Sequence, residues 1–183
     1  MNIGPLQRFL YVEPDITSQA IVLFGRKKGE SVKKDQKSIT ELVRKSLEIA
    51  EIKYNYSSKD NCFICHFMGD DLPITMSISI DEISIRFICY LDLKAKEEKY
   101  REVTWELNDI NRSLIFGAFF LDPDDGMISF EYSFPYIEAE VSHGFILSFM
   151  KMLADTVDRN DGDLKKLAES VTHSDSGKNA MYR

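Results

Sequence analysis

The sharpest chemistry in the sequence is the string Cys62-Phe63-Ile64-Cys65-His66. Two thiols and an imidazole at this spacing spell a c-type haem attachment site, and Cys89 would complete a four-ligand zinc set with Cys62, Cys65 and His66. Haem held in this way belongs to exported proteins, whereas residues 1–14 show no basic flank, long apolar stretch or small-residue cleavage site. The string is also apolar and strand-like. Residues three apart on a strand point to opposite faces, so Cys62 and Cys65 diverge instead of gripping one ligand. The expectation is reduced thiols, no metal, no cofactor and a cytoplasmic location.

Two acidic stretches suggest calcium, and both miss the spacing. Asp122-Pro123-Asp124-Asp125-Gly126 lacks the third alternating ligand and carries a proline. Asp158, Asn160 and Glu169 fit positions one, three and twelve of a calcium loop, but Gly162 and Asp163 fall where a ligand and a glycine are required. His66, His143 and His173 stand in no local arrangement with a nucleophile and a carboxylate. No glycine loop of phosphate-binding spacing occurs, and carboxylates such as Glu97, Glu98 and Glu102 read as a solvated helix face. No catalytic residue is assigned, and the chain is not expected to be an enzyme.

The elements that would position these groups are legible from periodicity. Residues 1–36 read as a polar extension broken by Pro5 and Pro14, with a short strand-like run at 20–24. Ser38 with Glu41 forms a capping-box pattern, and Ile39, Leu42, Val43, Leu47, Ile49 and Ala50 follow at helical spacing. Three strands come next, at 62–68, 72–80 and 83–91, joined by Gly69-Asp70-Asp71 and Asp81-Glu82. A helix over 97–114 carries Tyr100, Val103, Leu107, Ile110 and Leu114 in one stripe.

A second hairpin pairs 115–121 with 127–134. With a loop of Pro123 to Gly126, Leu121 faces Ile128, Phe119 faces Phe130 and Gly117 faces Tyr132. Gly126 then takes the left-handed position. A last helix begins near Ser142, and Asn160 and Gly162 are expected to interrupt it before residues 164–168. Residues 171–183 form a polar tail. The fold class is therefore α+β, with about five antiparallel strands in the order α-β-β-β-α-β-β-α and a folded domain at 37–170.

A net charge of −7 argues against nucleic acid as a partner. One basic cluster, Arg26, Lys27, Lys28, Lys33, Lys34 and Lys37, reads as a solvated linker. The longest apolar run near the N-terminus is far short of the ~20 residues of a membrane span, so no membrane partner is expected.

The second helix and second hairpin carry a resemblance. Leu107-Asn108-Asp109-Ile110-Asn111, Phe116-Gly117-Ala118-Phe119, Leu121 through Gly126 and Phe130-Glu131-Tyr132 are similar to the YbjN family of bacterial proteins. The likeness extends from about Ile39 to Leu167 and leaves residues 1–36 outside. That family resembles type III secretion chaperones in fold. The resemblance implies a twisted antiparallel sheet with helices largely on one face, acting as a binding module, with a homodimer among its arrangements. It carries over no catalytic residue. Asn108 and Asn111 read as ties between helix and strand, and Phe120 departs from a position that looks more polar in the family.

The functional expectation is a non-catalytic, chaperone-like or regulatory adaptor that captures a protein or peptide. In the register above, Phe116 and Phe120 share a face with Ser129, Glu131 and Ser133, while Ile88 and Tyr90 oppose Ile85 and Phe87. Phe116, Phe120, Ile88 and Tyr90 are thus the candidate partner-binding residues. The alternative is a small-molecule sensor or enzyme that uses the sheet as a pocket floor, with Cys65 or His66 as its polar handle. Convergence of His66 and the cysteines would favour that alternative, and dispersal would favour protein binding.

Overall fold

The structure, a computed structural model, describes residues 35–169. The strand-like run at 20–24, the basic residues 26–34, His173 and the polar tail lie outside the described residues. Asp35 opens helix α1 (Gln36–Ile49), its carboxylate accepting from the Ser38 amide and hydroxyl at 2.7 Å each. The cap is therefore Asp35, three residues ahead of the expected Ser38, which serves as its donor. Ile39, Val43 and Leu47 form the buried stripe of this helix.

Six strands follow around one further helix: β1 (Tyr54–Ser57), β2 (Cys62–Met68), β3 (Pro73–Ile80), β4 (Ser84–Lys94), helix α2 (Tyr100–Ser113), β5 (Ala118–Leu121) and β6 (Met127–Pro135). Helix α3 (His143–Glu169) closes the described chain. The strands form one antiparallel sheet in the order β1-β2-β3-β4-β6-β5. Four features differ from the sequence reading. β1 is an additional strand, a single 3₁₀ turn at Glu97–Lys99 precedes α2, β5 begins only at Ala118, and α3 runs unbroken through Asn160 and Gly162. Asn160 folds its amide back onto the Thr156 carbonyl at 2.7 Å. Gly162 leaves room for the Asp71 carboxylate, with which a Cβ would collide.

The expected register of the second hairpin holds from Ala118 onward, while Gly117, expected opposite Tyr132, lies outside the ladder. Leu121 pairs with Ile128 and Phe119 with Phe130, and Gly126 sits at φ +77°. All three described helices pack on one face of the sheet. Phe63, Ile78, Phe87 and Phe130 from that face join Leu47, Val103 and Met150 in a continuous core, each large side chain contributing roughly 1.5–3 kcal/mol by its burial. Among the described residues no helix is long and apolar enough to cross a membrane.

Candidate functional site

Strand alternation sorts the polar and apolar groups between a helix-covered face and an open one. Cys65 and Cys89 point into the core on either side of Met76. Burial pushes both thiols up to about 12, Cys89 by desolvation alone and Cys65 with a smaller contribution from Cys62, so neither forms a thiolate near neutrality. Cys62 lies on the opposite face with its sulfur 3.2 Å from Ser77 Oγ. His66 also faces outward and meets Thr75 Oγ1 at 3.1 Å. His143 is remote from them, at the start of α3, with Nδ1 3.0 Å from Ser46 Oγ. Among the described residues the groups that could do chemistry are dispersed, and no shared cleft gathers them.

The open face consists of cross-strand rows. One runs His66, Thr75, Tyr90, Ser129, Phe120; the next runs Ile64, Ser77, Ile88, Glu131, Ala118. Tyr90 is 39% and Phe120 50% exposed, and they flank Ser129 in the first row. Ile88 lies on this face as expected, outside the main core, but only 9% of it reaches solvent, so it supports the surface more than it offers contact. An ion pair between Arg86 and Glu131 crosses the same face.

Phe116 does not join Phe120, contrary to the simple alternation. Gly117 adopts φ +72°, which breaks the two-residue period ahead of β5. Phe116 consequently turns to the helix-covered face. There its ring meets Tyr132 and Phe149 edge-on, at 6.0 and 6.1 Å between centroids. Phe134 and Phe145 continue this aromatic cluster between β6 and α3.

A further surface escaped the sequence reading. The outer side of α2 and the hairpin after β5 form a groove of about 610 Å³ lined by Tyr100, Arg101, Trp105, Asn108, Leu121 and Pro123. Trp105 is 76% exposed. The signal was present: the only tryptophan of the chain sits off the Tyr100-Val103-Leu107 stripe, on the polar side of an amphipathic helix. Further along α2, Asn111 is the tie expected of it. Its side-chain amide donates to the Phe119 carbonyl at 2.9 Å, and its oxygen accepts from the Phe119 N–H at 2.7 Å. Asn111 thus takes the place that one residue of a further outer strand would fill.

Toward the far end of α3, carboxylates accept from backbone amides of the β2–β3 turn. Asp158 Oδ1 accepts from the Asp70 amide at 2.6 Å, and Asp161 Oδ2 from the Leu72 amide at 3.1 Å. Asp161 is fully buried and its Oδ1 has no hydrogen-bond partner. Desolvation, then the charges of Asp158 and Asp71, raise its pKa to about 6.

The family YbjN, described as "Putative bacterial sensory transduction regulator", matches residues 40–165. Among solved structures the chain is similar to one described as "Crystal structure of YbjN, a putative transcription regulator from E. coli". The two are 14% identical with a TM-score of 0.53, covering 67% of this chain and 91% of that one, a likeness of fold. A comparison with curated proteins finds no match.

Proposed function

The chain belongs to the YbjN family, whose description is "Putative bacterial sensory transduction regulator", and from that premise we propose that it is a non-catalytic adaptor that works by holding a protein partner. The observation that carries this reading is the open face, where Tyr90 and Phe120 flank Ser129 above Ile88 while all three described helices occupy the other side. Aromatic residues set among polar ones supply contact area at low entropic cost, and they are where binding energy concentrates in interfaces. Hydroxyls of Thr75, Ser77 and Ser129 around them suit a polar rim. The occupant is a second protein presenting an apolar patch. The dispersal of His66 and the cysteines weighs against a pocket floor for a small ligand.

Phe120→Asp tests this reading, with Ile137→Asp as control because Ile137 is an exposed apolar residue outside the sheet. Photocrosslinking of the full chain in its native cell is expected to yield a partner that Phe120→Asp loses and Ile137→Asp keeps, both variants melting close to the parent. Light scattering identifies a second copy of the chain if that is the occupant. Retention of the partner by Phe120→Asp would overturn the proposal, and so would collapse of its melting temperature.

A further inference from the structure

The groove beside β5 has properties that the open face lacks. In an antiparallel ladder the N–H and C=O groups of successive residues point alternately toward and away from the partner strand. The Asp122 amide donates to the Met127 carbonyl at 2.8 Å, so the Leu121–Ile128 pair is one whose polar backbone groups face outward. The same alternation turns Phe119 outward, where Asn111 satisfies both of its groups. Leu121 is the next outward position, and no described side chain does for it what Asn111 does for Phe119. Asn108 lines the groove beside it, and its side chain makes no hydrogen bond among the described residues.

Around this open backbone pair stand Trp105, Tyr100 and Arg101, the residue types that dominate binding hot spots. Among the described residues Arg101 makes no ion pair, although the chain as a whole carries a charge of −7. A planar guanidinium beside an indole suits a carboxylate recognised next to a flat or apolar group.

We propose that this groove binds an extended peptide segment of a partner protein. The segment adds a one-residue bridge to the edge of β5 at Leu121, lays an apolar side chain against Trp105 and gives a glutamate or aspartate to Arg101. Backbone pairing at a sheet edge with side chains read on alternate positions is an established physical route to peptide recognition. Pro123 lacks an N–H and closes the edge below Leu121, as Asn111 closes it above, which fixes the register of the bound segment. This site shares no residue with the Tyr90–Phe120 face, so either proposal stands if the other fails.

The test uses Trp105 as its own reporter, since it is the only tryptophan. The probes are blocked hexapeptides of alternating valine and threonine carrying one glutamate at each position in turn. Matched peptides carry lysine in its place, or an N-methylated backbone at the pairing residue. At least one glutamate peptide is expected to shift the Trp105 emission to the blue and saturate at millimolar concentration or below. The lysine and N-methyl versions, and Arg101→Gln with the original peptide, should each weaken binding about tenfold or more. Phe120→Asp should leave the response intact. An emission spectrum unmoved by every glutamate peptide would overturn the proposal, as would binding indifferent to Arg101→Gln and to N-methylation.

Discussion

Two hairpins whose turns are both built from aspartates and a glycine solve the docking of a turn onto a helix in opposite ways. The β5–β6 turn, Asp122 to Gly126, spends its carboxylates on its own backbone. Asp122 accepts from the Asp124 amide at 2.8 Å and Asp125 from the Met127 amide at 2.9 Å, while α2 is tied to the adjacent strand by the neutral amide of Asn111. The β2–β3 turn, Gly69 to Leu72, leaves two amides for carboxylates on another element, Asp158 and Asp161 of α3. Asp125 is solvated, and its bond to the Met127 amide holds its carboxyl below the ordinary value. Asp161 is buried among like charges and its carboxyl is pushed up. The difference teaches that a carboxylate cap is favourable where water can share the charge and unfavourable where other carboxylates surround it.

The β5–β6 hairpin breaks most severely at Gly126. Its φ of +77° is a left-handed conformation, and a Cβ there would collide with the Ala95 carbonyl, whose own amide donates to Gly126 O at 2.9 Å. Gly126→Val is expected to cost about 3 kcal/mol, from backbone strain plus the displaced Ala95–Gly126 contact. Urea unfolding measures it. An unchanged midpoint would remove the turn geometry from this account.

The neutral tie comes next. Asn111→Ala leaves the Phe119 N–H and C=O without partners at a half-buried edge, a loss of about 2 kcal/mol. Because no titrating group is involved, the loss should be the same at pH 4.5 and pH 7.5. A loss that varies between those values would show that the two ties are not as different as their chemistry.

These regions also show how far the sequence could be read. The β5–β6 register was legible because bulky residues at 119, 121, 128 and 130 alternate around a turn whose proline and glycine fix the loop length. β1 was not, since Tyr-Asn-Tyr-Ser is too short to reveal a period and pairs only at one end of β2. Phe116 was placed on the wrong face because alternation was carried through Gly117, where a positive φ ends it. The α3 break was expected from Asn160 and Gly162 on propensity alone. The helix persists because Gly162 is the residue that admits Asp71 from the opposite hairpin, a contact between residues 91 positions apart that no local pattern records. Of the candidate surface, Tyr90 and Phe120 were readable from strand periodicity, whereas the Trp105 groove depends on how α2 sits against β5.

The smallest effects carry the comparison furthest, because one substitution at the carboxylate contact of each turn, on α3 for β2–β3 and within the turn for β5–β6, should change stability with opposite sign. Asp161→Asn keeps an oxygen for the Leu72 amide and removes the charge that Asp158 and Asp71 oppose. The folded pKa of Asp161, about 6, lies above the ordinary carboxylate value of 3.8. The folded protein therefore holds this proton more tightly, and the contribution of the group is fully present below pH 4 and lost as pH rises through 6. At pH 7.5 the charged form is a liability, and Asp161→Asn is expected to stabilise by on the order of 1–2 kcal/mol. The gain should fade toward pH 4.5, where the wild-type carboxyl has regained its proton.

Asp125→Asn runs the other way. Its carboxyl is held below the ordinary value, so its contribution is present above pH 4 and lost on acidification. The amide retains an acceptor for Met127 but loses the charge facing Lys94. A small fall in melting temperature at pH 7.5 should therefore vanish at pH 3. Melting curves of both variants across pH 3 to 8 settle the matter. Equal signs at neutral pH would mean that burial among Asp158 and Asp71 does not distinguish Asp161 from a solvated turn carboxylate.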